Sequence, residues 1–203
     1  MKTFEKLYQS CSNIEAFAQG YFNHLKSVLD KLDLNALTQL EAEFEDARIN
    51  GNTIFVAGNG GSATTASTMA NDLGFDILKR TVIKNPFRVL ALTENNALLT
   101  AIANDVGYDN AFISQLKIHY RKGDKLLAIS ASGNSENLVR AANWVKEQGG
   151  KIIGFVGFEG GKLKDISDVV IHAKTEAGEF GPVEDLHLII NHILAHWFTE
   201  KHK

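Results

Sequence analysis

Cysteine and proline are nearly missing from this chain. Cys11 is the single thiol and only two prolines occur among 203 residues. One cysteine excludes an internal disulfide and fits a reducing, cytoplasmic setting. No linker rich in proline, glycine or serine divides the sequence, so residues 1–203 read as a single domain. A hydrophobic content of 44% is enough to build one buried core at this length. Long apolar runs are missing too. The opening Met1-Lys2-Thr3-Phe4-Glu5-Lys6 mixes charge with apolar residues, which gives no sign of a secretory leader. Nothing approaches the ~20 apolar residues of a membrane-spanning helix. A net charge of -3 provides no broad positive field for nucleic acid or an anionic membrane.

What is present is an alternation. Residues 4–29 and 34–48 read as two helices, with Leu7, Phe17, Phe22 and Leu25 at apolar positions. Short apolar runs then recur at residues 53–57, 89–92, 126–129, 152–156 and 169–171. Each is almost continuously apolar, the pattern of a strand covered on both faces. Helical stretches separate most of them. The pattern predicts an α/β three-layer sandwich: five parallel strands, helices on both faces and two leading helices. Ligands of such sheets bind beyond the carboxyl ends of the strands, near a reversal of strand order.

Two loops at those ends carry chemistry. The third run is followed by Ser130-Ala131-Ser132-Gly133-Asn134-Ser135-Glu136-Asn137 and then by a helix. Backbone N–H groups at a helix start are unpaired and favour an anion, serines add small donors, and Gly133 permits close approach. This is a phosphate cradle without lysine, unlike the loop of a nucleotide triphosphatase. The same serines would also serve an ordinary N-cap. The first run is followed by Gly58-Asn59-Gly60-Gly61-Ser62 and a helix that buries Ala66, Met69, Ala70 and Leu73. Thr65, Thr68 and Asp72 lie on another face of that helix. Its glycine spacing does not match a dinucleotide fingerprint.

The last helix is predicted over residues 183–201, with Pro182 at its start and Glu184 and Asp185 complementing its dipole. Leu186, Ile189, Ile190, Ile193 and Trp197 form an expected apolar stripe, which Leu188, Leu194 and Phe198 widen. His192 would then stand in apolar surroundings, where a hydrogen-bonded core role is the ordinary one. Glu184 and His192 are eight positions apart, about 12 Å of rise. They share a ligand only if Glu184 reaches from a frayed end or a second subunit supplies one of them. His196, one turn beyond His192, reads as surface or interface.

Taken together, Ala57-Gly58-Asn59-Gly60-Gly61-Ser62, Ala103-Asn104-Asp105, the serine loop, Gly160-Gly161 and Glu184-Asp185-Leu186-His187 with His192 resemble the SIS family. Within it, the resemblance is to the phosphoheptose isomerases. It implies an SIS fold and a homotetramer that uses residues 1–50 in packing and builds active sites between subunits. It implies that Ser130, Ser132 and Ser135 hold the phosphate of a sugar phosphate. Asn59, Gly60, Gly61, Ser62, Ala131, Glu94 and Glu184 would line the rest of the substrate site. Asp72 and His192 fall at the positions of the catalytic carboxylate and histidine. The implied reaction converts sedoheptulose 7-phosphate to an aldoheptose phosphate, a precursor of lipopolysaccharide or capsule heptose.

Three positions depart from the family pattern. A glutamate is replaced by Asp72, a histidine by Thr68 and a glutamine by Glu184. Some members bind zinc here, so Asp72, Glu184 and His192 make a candidate zinc set of two carboxylates and an imidazole. Two other functions stay open: a non-catalytic SIS protein that binds the replication initiator, and an isomerase or binding module for another phosphosugar.

Overall fold

The apolar runs pair side by side as a parallel sheet in the computed structural model, which describes residues 2–203. They form β1 (Thr53–Gly58), β2 (Arg88–Ala91), β3 (Lys125–Ser130), β4 (Lys151–Gly157) and β5 (Val169–Ala173), in the order β2-β1-β3-β4-β5. Register is continuous across the centre, with Val56 opposite Leu127 and Leu127 opposite Ile153. Successive side chains go to opposite faces. Ile54, Val56, Leu127, Ile129, Ile153 and Phe155 enter one hydrophobic cluster, while Phe55, Ala57, Leu126, Ala128 and Ile152 enter the other.

Helices close both faces, as predicted. The first cluster is covered by α3 (Leu34–Asn50), α4 (Gly61–Met69), the short α5 (Ile77–Arg80) and α10 (Phe180–Lys201). The second is covered by α7 (Ala111–His119), α8 (Glu136–Glu147) and α9 (Gly161–Ile166), with α6 (Asn96–Asp105) packed beside α7. Lys125, buried at the amino end of β3, pairs with Glu43 and Asp46 and so ties α3 to the sheet. A buried ammonium without such partners would be strongly destabilising.

Three expectations need correction. The first leading helix is two: α1 (Thr3–Ser10) and α2 (Ile14–Leu29), because Asn13 takes an extended backbone and caps α2 by accepting from the Ala16 N–H at 2.9 Å. Strand β2 is not covered on both faces. It is an edge strand, and Leu90 is 52% exposed. In α10 the buried stripe is Val183, Leu186, Ile190, Leu194 and Phe198, whereas Ile193 and Trp197 face outward. Which side of an apolar helix is buried depends on its partner, and here the partner is the sheet face shared with α4.

Two polar residues ride inside that stripe, His187 and Asn191, both fully buried. One ring nitrogen of His187 lies 3.3 Å from the Val156 carbonyl, and its Nδ1 has no partner. Burial holds its pKa down at about 4, outweighing the Val156 hydrogen bond that acts the other way. Between this value and the ordinary histidine pKa of about 6.5, the unfolded chain binds a proton that the folded chain refuses. Stability therefore falls as pH drops through that window, by on the order of 3 kcal/mol for the full shift. His187→Gln should flatten the pH dependence of the denaturant-unfolding free energy between pH 6.5 and 4. An unchanged slope would assign that dependence to another group.

Candidate active site

Strand order reverses between β1 and β3. From β1 the chain crosses to β2 at one edge, and from β3 it proceeds to β4 in the other direction. The two loops leaving the carboxyl ends of these neighbours therefore part and leave a crevice between them. A cavity of about 290 Å³ fills it, lined by Asn59, Gly60, Gly61, Ser62, Ser130, Ala131, Ser132, Ser135 and Glu184, with Ile129 and Phe180.

The serine loop is wound by its own hydroxyls. Ser130 Oγ accepts from the Gly133 N–H at 3.1 Å, Ser132 Oγ accepts from the Asn134 N–H at 3.2 Å, and Ser130 and Ser135 hydroxyls stand 3.2 Å apart. Gly133 has φ +65°, and a Cβ there would collide with the Gly160 carbonyl. The Leu163 N–H donates to the Gly133 carbonyl at 2.9 Å, and the Lys162 N–H donates to Asn134 Oδ1 at 3.1 Å. The Gly160-Gly161 pair thus clamps the cradle from behind. Ser135 is the N-cap of α8 but makes no side-chain capping bond; its carbonyl accepts from the Leu138 N–H at 3.0 Å, which leaves the Glu136 and Asn137 N–H groups for a ligand.

Facing it, Asn59 and Asn137 exchange two amide hydrogen bonds of 3.0 Å, and Tyr108 donates to Asn59 Oδ1 at 2.7 Å. Tyr108 was not singled out from the sequence, and Asn137 entered only as the last residue of the serine loop, with no role given to it. A Cβ at Gly61 would collide with the Glu184 carboxylate, so α10 and α4 meet here at the smallest possible side chain. Among the described residues no lysine or arginine lines the cleft, and Glu184 is its one charged residue. Burial, with the nearby Asp185 carboxylate, pushes the Glu184 pKa up. Glu94 lies elsewhere. It is exposed, accepts from Ser67 Oγ on α4 and does not line this cavity.

Asp72 and His192 come together in a different place. Asp72 sits in a π-helical turn, Ala70–Asp76, that continues α4, a rare backbone form that tends to mark functional sites. Its Oδ2 is 3.8 Å from His192 Nε2, too far for a hydrogen bond, and accepts instead from Asn191 Nδ2 at 2.7 Å. Its Oδ1 accepts from Asn71 Nδ2 at 2.9 Å. His192 is half exposed, not immersed in apolar surroundings as its helix suggested; His187 and Asn191 occupy the buried side. The pair opens on a second cavity of about 190 Å³, which includes Arg80 and His196.

Within one chain, Glu184 lines the first cavity, and Asp72 and His192 line the second. Among the described residues, no group of three His, Cys, Asp or Glu side chains is placed to hold a metal ion. The expected zinc set is therefore not assembled by one protomer. Thr68, at the site of the missing histidine, spends its hydroxyl on the Thr64 carbonyl at 3.0 Å.

Comparison with known proteins places this architecture. The SIS domain family matches residues 20–157, and the chain belongs to that family. It is 34% identical over 183 residues to a phosphoheptose isomerase of Aneurinibacillus thermoaerophilus, covering 89% of each chain. A Campylobacter jejuni protein, phosphoheptose isomerase 2, is 32% identical over 188 residues and 90% of each chain. The phosphoheptose isomerase structure from Neisseria gonorrhoeae superposes with a TM-score of 0.81 over 93% of this chain and all of that one. At 24% identity that likeness is one of fold. Within the SIS family the chain stands in the branch of the phosphoheptose isomerases, and it is an enzyme of the phosphosugar isomerase kind.

With no cation in the cleft, the Glu184 charge opposes any phosphate brought there. Glu184→Gln should tighten inorganic phosphate binding by about fivefold, the size of a screened like-charge repulsion near 1 kcal/mol. Calorimetric titration above pH 7 measures it. Weaker binding would mean that Glu184 instead holds the cradle open for the ligand.

Proposed function

We propose that this protein interconverts a ketose phosphate and its aldose, with sedoheptulose 7-phosphate as the substrate and an aldoheptose 7-phosphate as the product. The observation that carries the reading is the Asp72–His192 pair, a carboxylate facing an imidazole at 3.8 Å with neither locked to the other. The serine cradle supports the phosphate end, since hydroxyls and helix-start N–H groups suit a phosphate ester. The relatives named as phosphoheptose isomerases support the substrate class.

The chemistry needs one proton moved between adjacent carbons. The Asp72 carboxylate takes a proton from C1 of the ketose while the C2 oxygen gains one, giving a 1,2-enediol. Loss of the O1 proton and delivery of a proton to C2 then give the aldose. His192 moves the oxygen-bound protons, and Asp72 the carbon-bound one. The cradle and the pair open on separate cavities of one protomer. The reading therefore includes assembly, in which one copy's pair meets another copy's cradle within a homotetramer. Such an arrangement also gives Glu184 and His192 of different copies a common ligand, and zinc enters the proposal only at such a shared site. A heptose destined for lipopolysaccharide or capsule is the end use that fits this product.

Incubation with sedoheptulose 7-phosphate, with and without a chelator, tests the reading directly. Turnover is expected, and Asp72→Asn should lower kcat by at least a hundredfold, since it removes the base. Loss of turnover with chelator would bring zinc into the assembled site. Full activity in Asp72→Asn would end the assignment of the base. Binding to replication initiator by a protein inert toward every ketose phosphate would replace the enzymatic reading.

A further inference from the structure

Asn191 has no evident reason to be where it is. It is fully buried on α10 between Ile190 and the exposed His192, in a stripe otherwise apolar except for His187. A buried amide costs free energy unless its polar atoms are paired, yet Asn191 Oδ1 has no partner. Its one side-chain bond is the 2.7 Å donation to Asp72 Oδ2. A hydrophobic residue there would extend the core of α10. Instead, the position carries a donor whose only recipient is the carboxylate facing His192.

We infer that Asn191 is a positioning residue. Its Nδ2 holds the Asp72 carboxylate in the orientation from which Oδ2 faces His192, and this inference rests on the isomerase reading only for its catalytic consequence. Three observations converge. Asp72 has a short side chain in a π-helical turn, where the backbone alone does not fix the carboxylate. Asn71, its other donor, is an exposed neighbour on the same turn and moves with it. Asn191 is immobilised by the packing of α10 and adjoins His192 in sequence, so both groups that address Oδ2 come from one rigid helix. The amide orientation follows from the partner, because an ionised carboxylate only accepts. Asn71 and Asn191 are the side-chain donors to Asp72 among the described residues, and a displacement of about 1 Å at a reacting group can cost on the order of a hundredfold in rate.

The test is a double-variant cycle with two readouts. Asn191→Leu keeps volume and removes the donor, while Asp72→Ala removes the acceptor. If the bond holds in solution, the double variant's melting temperature falls by less than the sum of the two single drops. In the active enzyme, Asn191→Leu should lower kcat about thirtyfold while KM and inorganic phosphate affinity stay within about twofold. It should cost nothing further in an Asp72→Asn background. A purely structural role would not give that split. Additive melting shifts overturn the inference whatever the rates, and so does an unchanged kcat in an enzyme that turns over. Non-additive shifts in a protein without turnover overturn the isomerase reading alone, and leave Asn191 as the holder of Asp72.

Discussion

Helix α10 buries Val183, Leu186, Ile190, Leu194 and Phe198 on the sheet face that α4 also covers, and this packing sets the positions of Glu184, Asn191 and His192. Its first turns send Glu184 into the crevice between β1 and β3. Two turns later the same helix presents Asn191 inward and His192 outward to Asp72. The contact depends on Gly61, which lets the Glu184 carboxylate approach the start of α4. Because α4 leads directly into the π-helical turn that bears Asp72, one helix pair governs both cavities.

The electrostatics follow from the same packing. The serine loop presents hydroxyls and a helix start without a side-chain cation among the described lining residues, and α10 brings a carboxylate beside it. On the proposed reading, phosphate is therefore held by geometry, by N–H and O–H groups placed around one oxygen cluster. Burial keeps His187 neutral, while His192, five residues later, stays in contact with solvent. Two histidines on one helix thus differ in environment through depth alone.

Much of this is legible in the amino-acid sequence alone. Alternating apolar runs revealed the strands, because a parallel strand buried on both faces leaves few other patterns. The serine loop declared itself because small donors, a glycine and a helix start coincide. The Asp72–His192 pairing came only from resemblance, and the π-helical turn left no mark that periodicity detects. The break after Ser10 was readable in principle, since Ser12 and Asn13 are good capping residues. The exposed side of α10 was not. Ile193 and Trp197 are as apolar as Ile190, and only the neighbouring sheet decides which of them is covered. The same holds for Glu94, which nothing local distinguishes from a cleft residue.

The π-helical turn has an evolutionary consequence. A residue added to or removed from a helix rotates everything beyond it by about 100° relative to everything before. Asp72 lies within residues 70–76, and residues 63–71 separate it from the glycine loop, so the length of that stretch sets the angle at which Asp72 emerges. Substitutions here can be absorbed one at a time. A change in length cannot, because it would turn Asp72 away from α10 while the sheet and the serine loop stayed intact. In descendants of this sequence, the spacing between Ser62 and Asp72 should be guarded more strictly than the identity of most residues inside it.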